Sequence, residues 1–571
     1  MRYVCLTCDY DGTLARNGGV ASSTIQGLEK VRASGRKLIL ATGRELDDLL
    51  KVFPDVSLFD RVVAENGGLL YRPSSKQQVL LSEPPSKKFV EELSRRGVQP
   101  LSVGRCVVAT WHPNETTVLD VIREMNLELQ IIFNKNAVMI LPSGVNKGTG
   151  LQAALNELQL SYHNVVGVGD AENDHAFMSV CEACVAVSNA LPGLKERADW
   201  VTAHSHGAGV EEVIQGLLNN DLADLAPRLK RHEILLGSLE NGEAFSLQSY
   251  GLGLLIAGPS GSGKSTAVTA VIERLVESKY QVCIFDPEGD FNEFEQAMTI
   301  GGPERVPKTS EILDILGDPS RSLNVNLLGV PLAERPSFFQ EALGRIQELR
   351  FKTGHPHWVV IDEAHHVLPA ELTKAGMSLP QEIKSFLVVT TRPELVSPSI
   401  LKAVTGIITV GPEPEAVIRG FNQSTGRDIP AHQYAASPQT GQALVWCLEN
   451  EEEPKLVKVE PATTQRRRHR RKYAAGELGE DKSFYFRGPD GKLNLRAQNM
   501  NLFAQMAEGL DEATWTFHLS SGDYSRWLRE SIKDDELAKL IAEIEDNKSL
   551  SAAESRRLVV EAIRKHYTAA G

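Results

Sequence analysis

Asp9 and Asp11 stand two residues apart at the end of a short apolar run and are followed by Gly12-Thr13; Thr42, Lys147, Asp170 and Asp174 lie further along the chain at comparable positions. Phosphoryl transfer asks for these residue types: a nucleophile in line with phosphorus, a proton donor for the leaving oxygen, and positive charge around the equatorial oxygens. Asp9 can be the nucleophile and Asp11 the acid and base. Lys147 and the Thr42 hydroxyl can hold phosphoryl oxygens, while Asp9, Asp11, Asp170 and Asp174 offer the oxygen ligands that Mg²⁺ prefers. A second constellation begins at Gly258-Pro-Ser-Gly-Ser-Gly263-Lys264-Ser265, a glycine-rich loop whose N–H groups cradle phosphates. Gly258, Ser260, Gly261, Ser262, Gly263, Lys264, Ser265 and Thr266 are the expected ATP contacts. Lys264 would reach the β and γ phosphates, Ser265 and Asp362 would hold a second Mg²⁺, and Glu363 would activate the attacking water.

Both sets need strands that end together. The apolar segment 3–8 stops at Asp9, 37–41 at Thr42-Gly43-Arg44, and 164–168 at Gly169-Asp170-Ala-Glu-Asn173-Asp174, while Asn146-Lys147 opens a helix. Parallel strands deliver such residues to the carboxyl edge of an open α/β sheet, where ligands bind. The pattern repeats in segments 251–257, 281–285, 357–361 and 385–389, which run into the glycine-rich loop, Asp286-Pro287-Glu288-Gly289-Asp290, Asp362-Glu363 and Thr390-Thr391-Arg392-Pro393. The expected fold class is α/β, two doubly wound parallel-sheet domains followed by a helical C-terminal module.

The first set resembles the haloacid dehalogenase superfamily of phosphatases, in its Cof-like and sucrose-phosphatase-like branch. Asp9 and Asp11 match its first motif, Thr42 its second, Lys147 its third, and Asp170 with Asp174 its fourth; Ala64-Glu65-Asn66-Gly67-Gly68 and the segment 185–190 look like recurrent segments of that branch. The resemblance covers residues 1–222. It implies a Rossmann-like core, an aspartyl-phosphate on Asp9, and Asp11 protonating the leaving group and then activating water. It also implies a small α/β cap at about 85–142, where the pattern reads helix, strand, helix, strand, strand, and where Arg105 and His112 are candidate substrate contacts. Residues 233–460 resemble the HerA and FtsK group of P-loop ATPases. That likeness implies Thr391 as a sensor of the γ phosphate, a hexamer or other homo-oligomer, and Arg419 or Arg427 completing a neighbour's site.

The chain has 571 residues and a formal charge of −13, so its surface as a whole is no non-specific nucleic-acid binder. The basic run 465–472, inside a linker at 461–482, leaves nucleic acid open as a partner. Seven cysteines in this length do not form a disulfide framework, and Cys5 and Cys8, three apart on a strand, face opposite ways and cannot chelate one zinc. No apolar run approaches the roughly 20 residues of a membrane span, and a cytoplasmic location is expected. The module 483–571 places Trp515, His518, Tyr524 and Trp527 in a small helical core, with a capping box at Ser551–Glu554. The expected function is a Mg²⁺-dependent phosphatase of small phosphorylated substrates, coupled to an ATPase that regulates or assembles it. The alternatives are a nucleic-acid end-processing phosphatase/kinase and a DNA-dependent translocase with an accessory phosphatase domain.

Overall fold

A computed structural model describes residues 1–571 apart from 260, 372–383, 430–437, 449–452, 463–477, 479–482, 490, 492, 533 and 569–571. The chain forms two compact units, Met1–Glu460 and Pro461–Gly571.

The first sheet contains β1 (Cys5–Asp9), β2 (Lys37–Ala41), β3 (Arg61–Ala64), β4 (Leu69–Arg72) and β5 (Gln77–Leu80). The chain then leaves it for a cap and returns. The cap carries β6 (Ser102–Val103), β7 (Val108–Trp111), β8 (Leu129–Asn134) and β9 (Ala137–Pro142), with helices Lys87–Arg95 and Glu115–Glu124 against one face. After it come β10 (Val165–Gly169), β11 (Ala183–Ala186) and β12 (Trp200–Val201). The order is β12-β11-β10-β1-β2-β3-β4-β5, parallel from β12 to β3 and antiparallel beyond. The chain winds outward from β1 in both directions, so the switch point of the sheet, where a crevice opens, falls at the tip that carries Asp9.

The second sheet follows as β13 (Ile234–Leu239), β14 (Ala244–Leu247), β15 (Gly253–Ala257), β16 (Val282–Asp286), β17 (Ala297–Gly301), β18 (Ser322–Asn326), β19 (Trp358–Ile361), β20 (Phe386–Thr390), β21 (Gly406–Val410), β22 (Gln442–Cys447) and β23 (Lys455–Val459). Its order is β14-β13-β23-β22-β21-β15-β20-β19-β16-β18-β17. It is mixed where the sequence suggested parallel winding: β21 to β17 run parallel, and β22, β23, β13 and β14 extend one side antiparallel. β15, β16, β19 and β20 are buried from end to end, which is why they read as continuous apolar runs.

These two sheets share one compact unit because a buried polar seam joins them. Glu182 accepts from Arg2 Nη2 at 2.5 Å, from His163 Nδ1 at 2.7 Å and from the Tyr280 hydroxyl at 3.2 Å. His163 stacks on Tyr280 at 3.7 Å, and its Nε2 reaches the Ser278 carbonyl at 2.8 Å. Asn164 donates to the carbonyls of Arg2 and Gly354 and pairs with His357. The segment 223–232, which reads as a charged connector, belongs to this seam: Arg231 bonds the carbonyls of Cys181 and Glu182 and the Cys184 thiol. The seam residues immediately precede strands: Arg2 and Tyr3 before β1, Asn164 before β10, Glu182 before β11, Gln281 before β16 and His357 before β19. The sheets therefore meet at their amino edges, and their carboxyl edges point away from each other. At roughly 3.3 Å per residue, on the order of 30 Å of strand path separates those edges.

The unit Pro461–Gly571 holds a hairpin of β24 (Phe484–Phe486) and β25 (Leu495–Ala497) and helices Met500–Gly509, Glu512–Ser520, Asp523–Trp527, Asp535–Asp546 and Ala552–Thr568. Phe484, Phe486, Phe503, Trp515, Tyr524 and Trp527 pack into its core, and Trp515 donates to Ser555 at 3.0 Å. Ser551 and Glu554 form the reciprocal cap expected of them. The basic run 465–472 lies outside the described residues. Among the described residues no helix is long and apolar enough to cross a membrane.

Candidate active sites

β1 is wholly buried, and its last residue, Asp9, is 3% exposed. Gly12 adopts a φ of +92°, and a Cβ there would stand 2.3 Å from Asp170 Oδ2, so only glycine lets the turn after β1 meet the tip of β10. Thr13 donates to Asp170 Oδ1 at 3.0 Å. Lys147 opens the helix Lys147–Leu158, whose N-cap Asn146 accepts from the N–H groups of Gly148 and Thr149. Its ammonium, 1% exposed, donates to Asp9 Oδ1 at 2.6 Å and Asp174 Oδ1 at 2.7 Å. Asp174 Oδ2 accepts the N–H groups of Asp170 and Ala171 at 2.8 and 2.9 Å. Both Asp174 oxygens are thus engaged, and this side chain positions Lys147 and the β10 turn.

Burial alone would lower the Lys147 ammonium, but the charges of Asp174 and Asp9 outweigh it and raise it. Burial, then the Asp174 charge, pushes the Asp9 carboxyl well above its ordinary value. Carboxylate oxygens of Asp9, Asp170 and Asp174 lie within 4.8 Å of one another, and Asp9 Oδ2 is buried without a hydrogen-bond partner. An orphaned carboxylate oxygen in a cluster of hard oxygen donors fits a divalent cation such as Mg²⁺, whose charge would favour ionised Asp9.

Asp11 stands apart from that three-carboxylate group. Its carboxylate takes Nε and Nη2 of Arg44 at 2.7 Å each, and Arg44 Nη1 binds Asp48 at 2.6 Å. Thr42 is buried at the end of β2, and its hydroxyl accepts the Arg44 N–H at 3.1 Å. The residues that sequence reasoning left without a role lie around these. Glu65, 1% exposed and left-handed at φ 51°, accepts the N–H groups of Cys106 and Val107 at 2.7 and 3.3 Å and so pins the cap to the core. Asn173 donates to Asn66 at 3.0 Å in a buried amide pair. Lys135, in the two-residue turn between β8 and β9, reaches Asp170 Oδ2 at 3.0 Å. Only the position of Lys135 between two apolar runs could have signalled it. Arg105 and His112 find surface partners instead, Asp47 and Glu115. The thiols of Cys181 and Cys184 donate to the carbonyls of Phe177 and Met178.

In the second sheet, Gly261 and Gly263 are left-handed at φ 78° and 97°, which turns the loop after β15 into the helix Lys264–Glu277. Ser260 lies outside the described residues. Lys264 folds back on the carbonyls of Gly258 and Pro259 at 2.9 and 3.0 Å, and burial lowers its ammonium. Ser262 Oγ is buried without a hydrogen bond, and Ser265 is exposed at the start of the helix. Asp362 follows β19 and is 7% exposed. Glu363 is left-handed at φ 37°; burial raises its carboxyl, and its Oε2 makes no hydrogen bond, with His365 Nδ1 3.4 Å away. A backbone held in this region by a non-glycine residue stores strain of a kind found at reaction centres. At the end of β20, Thr390 is fully buried with its hydroxyl 3.4 Å from His365 Nδ1, and Thr391 follows half-buried. Arg427 caps the carbonyls of Lys402 and Val404 in its own chain, whereas Arg419 is exposed on the helix Pro414–Thr425. Thr266 lies in the first turn of the helix after the loop.

The strand order, the cap inserted after β5 and the Asp9–Lys147–Asp174 cluster define a hydrolase core of the phosphoryl-transfer kind. Residues 6–99 and 115–214 match the haloacid dehalogenase-like hydrolase family, and 253–333 match the central domain of the helicase HerA. Phosphoglycolate phosphatase 2 of Saccharolobus solfataricus is 32% identical over 224 residues, 38% of this chain and 94% of that protein. Phosphoglycolate phosphatase of Methanothermobacter thermautotrophicus is 28% identical over 219 residues, 37% of this chain and 96% of that protein. A haloacid dehalogenase-like hydrolase of Bacteroides thetaiotaomicron aligns with 38% of this chain and 99% of its own at a TM-score of 0.34 and 18% identity. Through its first sheet and cap, the chain belongs to the haloacid dehalogenase-like hydrolases.

Proposed function

We propose that this protein is a Mg²⁺-dependent phosphomonoester hydrolase that works through an aspartyl-phosphate on Asp9, takes a short phosphorylated carboxylic acid, and is joined to an ATP-hydrolysing P-loop domain. The observation that carries the reading is Asp9 itself: Oδ1 is tethered to Lys147, and Oδ2 is buried and free of any hydrogen bond. The names of the phosphoglycolate phosphatases support the substrate class.

In the first half-reaction the Asp9 carboxylate forms a bond to phosphorus, the bond from phosphorus to the leaving oxygen breaks, and Asp11, protonated and released from Arg44, gives its proton to that oxygen. In the second, Asp11 takes a proton from water as the water oxygen bonds to phosphorus and the aspartyl–phosphorus bond breaks. Lys147 balances the Asp9 and Asp174 charges throughout, and Thr42 offers a hydroxyl to the phosphoryl oxygens. A Mg²⁺ held by Asp9 and Asp170 would neutralise charge on the phosphoryl oxygens when bound.

For the second site, Lys264 would leave the Gly258 and Pro259 carbonyls for the phosphates of ATP, Ser265 and Asp362 would hold Mg²⁺, and Glu363 would deprotonate water. Thr390 and Thr391 both stand where a γ-phosphate sensor would act. Because the two carboxyl edges point apart, ATP would act on the phosphatase through the seam or through assembly of copies, with Arg419 the candidate to complete a neighbour's site, and no substrate would pass between the sites. This also disfavours an enzyme that works on one nucleic-acid end with both centres. Phosphate release from phosphoglycolate, sugar phosphates, nucleotides and phosphorylated oligonucleotides tests the reading. Release from a short phosphorylated acid that vanishes in Asp9→Asn and changes in Lys264→Ala supports it. Release confined to oligonucleotide ends, or identical turnover and assembly in Lys264→Ala, contradicts the substrate or the coupling respectively.

A further inference from the structure

We propose that Lys135, at the tip of the cap hairpin, is the residue by which the cap selects its substrate, pairing its ammonium with a carboxylate on the leaving-group side of the phosphomonoester. The inference rests on the phosphatase reading above and deepens it. Lys135 and Asn136 are the whole connection between β8 and β9, and Lys135 is left-handed at φ 55°. Its backbone N–H donates to Glu172 Oε2 at 3.1 Å and its ammonium to Asp170 Oδ2 at 3.0 Å. The tip of the cap therefore lies against the turn that follows β10, with its charge beside the carboxylate cluster.

The other cations of the site are spent. Lys147 is 1% exposed and bound to Asp9 and Asp174, and Arg44, which Asp11 must leave during turnover, stays anchored on its own side of the site by Asp48. Lys135 is 51% exposed and makes one ammonium hydrogen bond among the described residues, while an ammonium has three N–H donors.

The neighbouring face of the cap indicates what these donors meet. Strand register places Ala109, Met139 and Ile132 side by side, and Met139 Cε lies 3.2 Å from where a Cβ on Gly43 would stand. That face looks onto the end of β2 and is mostly apolar: of the two polar residues that share it on β8, Gln130 is spent on the carbonyls of Pro142 and Val145, which leaves Asn134. A sugar or nucleoside would need hydrogen-bond partners there for several hydroxyls, whereas a two- or three-carbon acid needs apolar contact and one cation.

Full-length wild type, Lys135→Gln and Lys135→Arg test this by calorimetric binding, with Mg²⁺ present, of 3-phosphonopropionate, which carries a carboxylate, and propylphosphonate, which does not. Wild type should prefer the carboxylate-bearing ligand. Lys135→Gln should lose about 10- to 100-fold of that preference, as expected for one hydrogen bond to a charged group, and Lys135→Arg should keep most of it. The ratio of kcat/KM for phosphoglycolate to that for p-nitrophenyl phosphate should fall by a similar factor in Lys135→Gln, carried by KM. Equal losses for both ligands would make Lys135 a structural latch and overturn the inference, as would an unchanged preference. A wild type that hydrolyses p-nitrophenyl phosphate without favouring the carboxylate overturns it while leaving the phosphatase reading intact, and a wild type that hydrolyses neither ester overturns both.

Discussion

Replacing Glu182 with glutamine keeps the size of the side chain and removes the charge on which the seam is built. Glu182 is 1% exposed and receives Arg2, His163 and the Tyr280 hydroxyl together. Burial would raise its carboxyl, but the hydrogen bond and charge of His163, then the charge of Arg2, hold it well below the usual carboxylate range. Glutamine offers one acceptor oxygen and turns an NH₂ toward donors, stranding the Arg2 guanidinium, itself 6% exposed. Breaking one side of a buried ion pair costs about 3–5 kcal/mol. In a unit of this size that is roughly 1–2 °C per kcal/mol, so Glu182→Gln should lower the first thermal transition by roughly 3–10 °C at pH 7. Adding Arg2→Met should recover part of the loss, because the stranded charge is gone. A depressed carboxyl contributes stability that is full above its unfolded value and is lost as pH falls through its folded one. The gap between wild type and Glu182→Gln should therefore be present at about pH 5 and above and narrow below about pH 4. Scanning calorimetry of the full chain across that range decides it. A shift under about 1 °C at pH 7, or a gap that widens in acid, refutes the account of the seam.

Glu363→Gln should bind ATP as wild type does while hydrolysing it about 10²- to 10⁴-fold more slowly, measured by nucleotide binding beside steady-state phosphate release. Glu65→Ala removes the acceptor of the Cys106 and Val107 N–H groups and should loosen the cap by about 1–3 kcal/mol, seen as faster limited proteolysis within residues 85–142.

The gathering of the two candidate sites was legible in the sequence because each set consists of polar residues at the ends of apolar strands, and a parallel sheet brings such ends to one edge. Asp9, Lys147 and Asp174 accordingly meet within hydrogen-bonding distance although 165 positions separate the outermost pair. The pairing of Asp11 with Arg44 was less legible, since nothing in the spacing tells a carboxylate facing other carboxylates from one facing a guanidinium. The antiparallel side of the second sheet was missed because β13 pairs with β23, more than 200 residues later, and register across that distance has no local signature. The seam had no signature either: His163, Glu182, Tyr280 and His357 are single polar residues before strands, and each reads alone as an ordinary turn residue. Lys135 was hidden for a similar reason, since a lysine in a hairpin turn usually faces only water.

The central claim is that Asp9 attacks phosphorus, and rapid quenching of the full chain with ³²P-labelled phosphoglycolate and Mg²⁺ tests it most directly. The account predicts a labelled protein that survives acid, is discharged by hydroxylamine as an acyl phosphate must be, and is absent in Asp9→Asn. Steady phosphate release with no labelled protein at any time, or label that persists in Asp9→Asn, would contradict it.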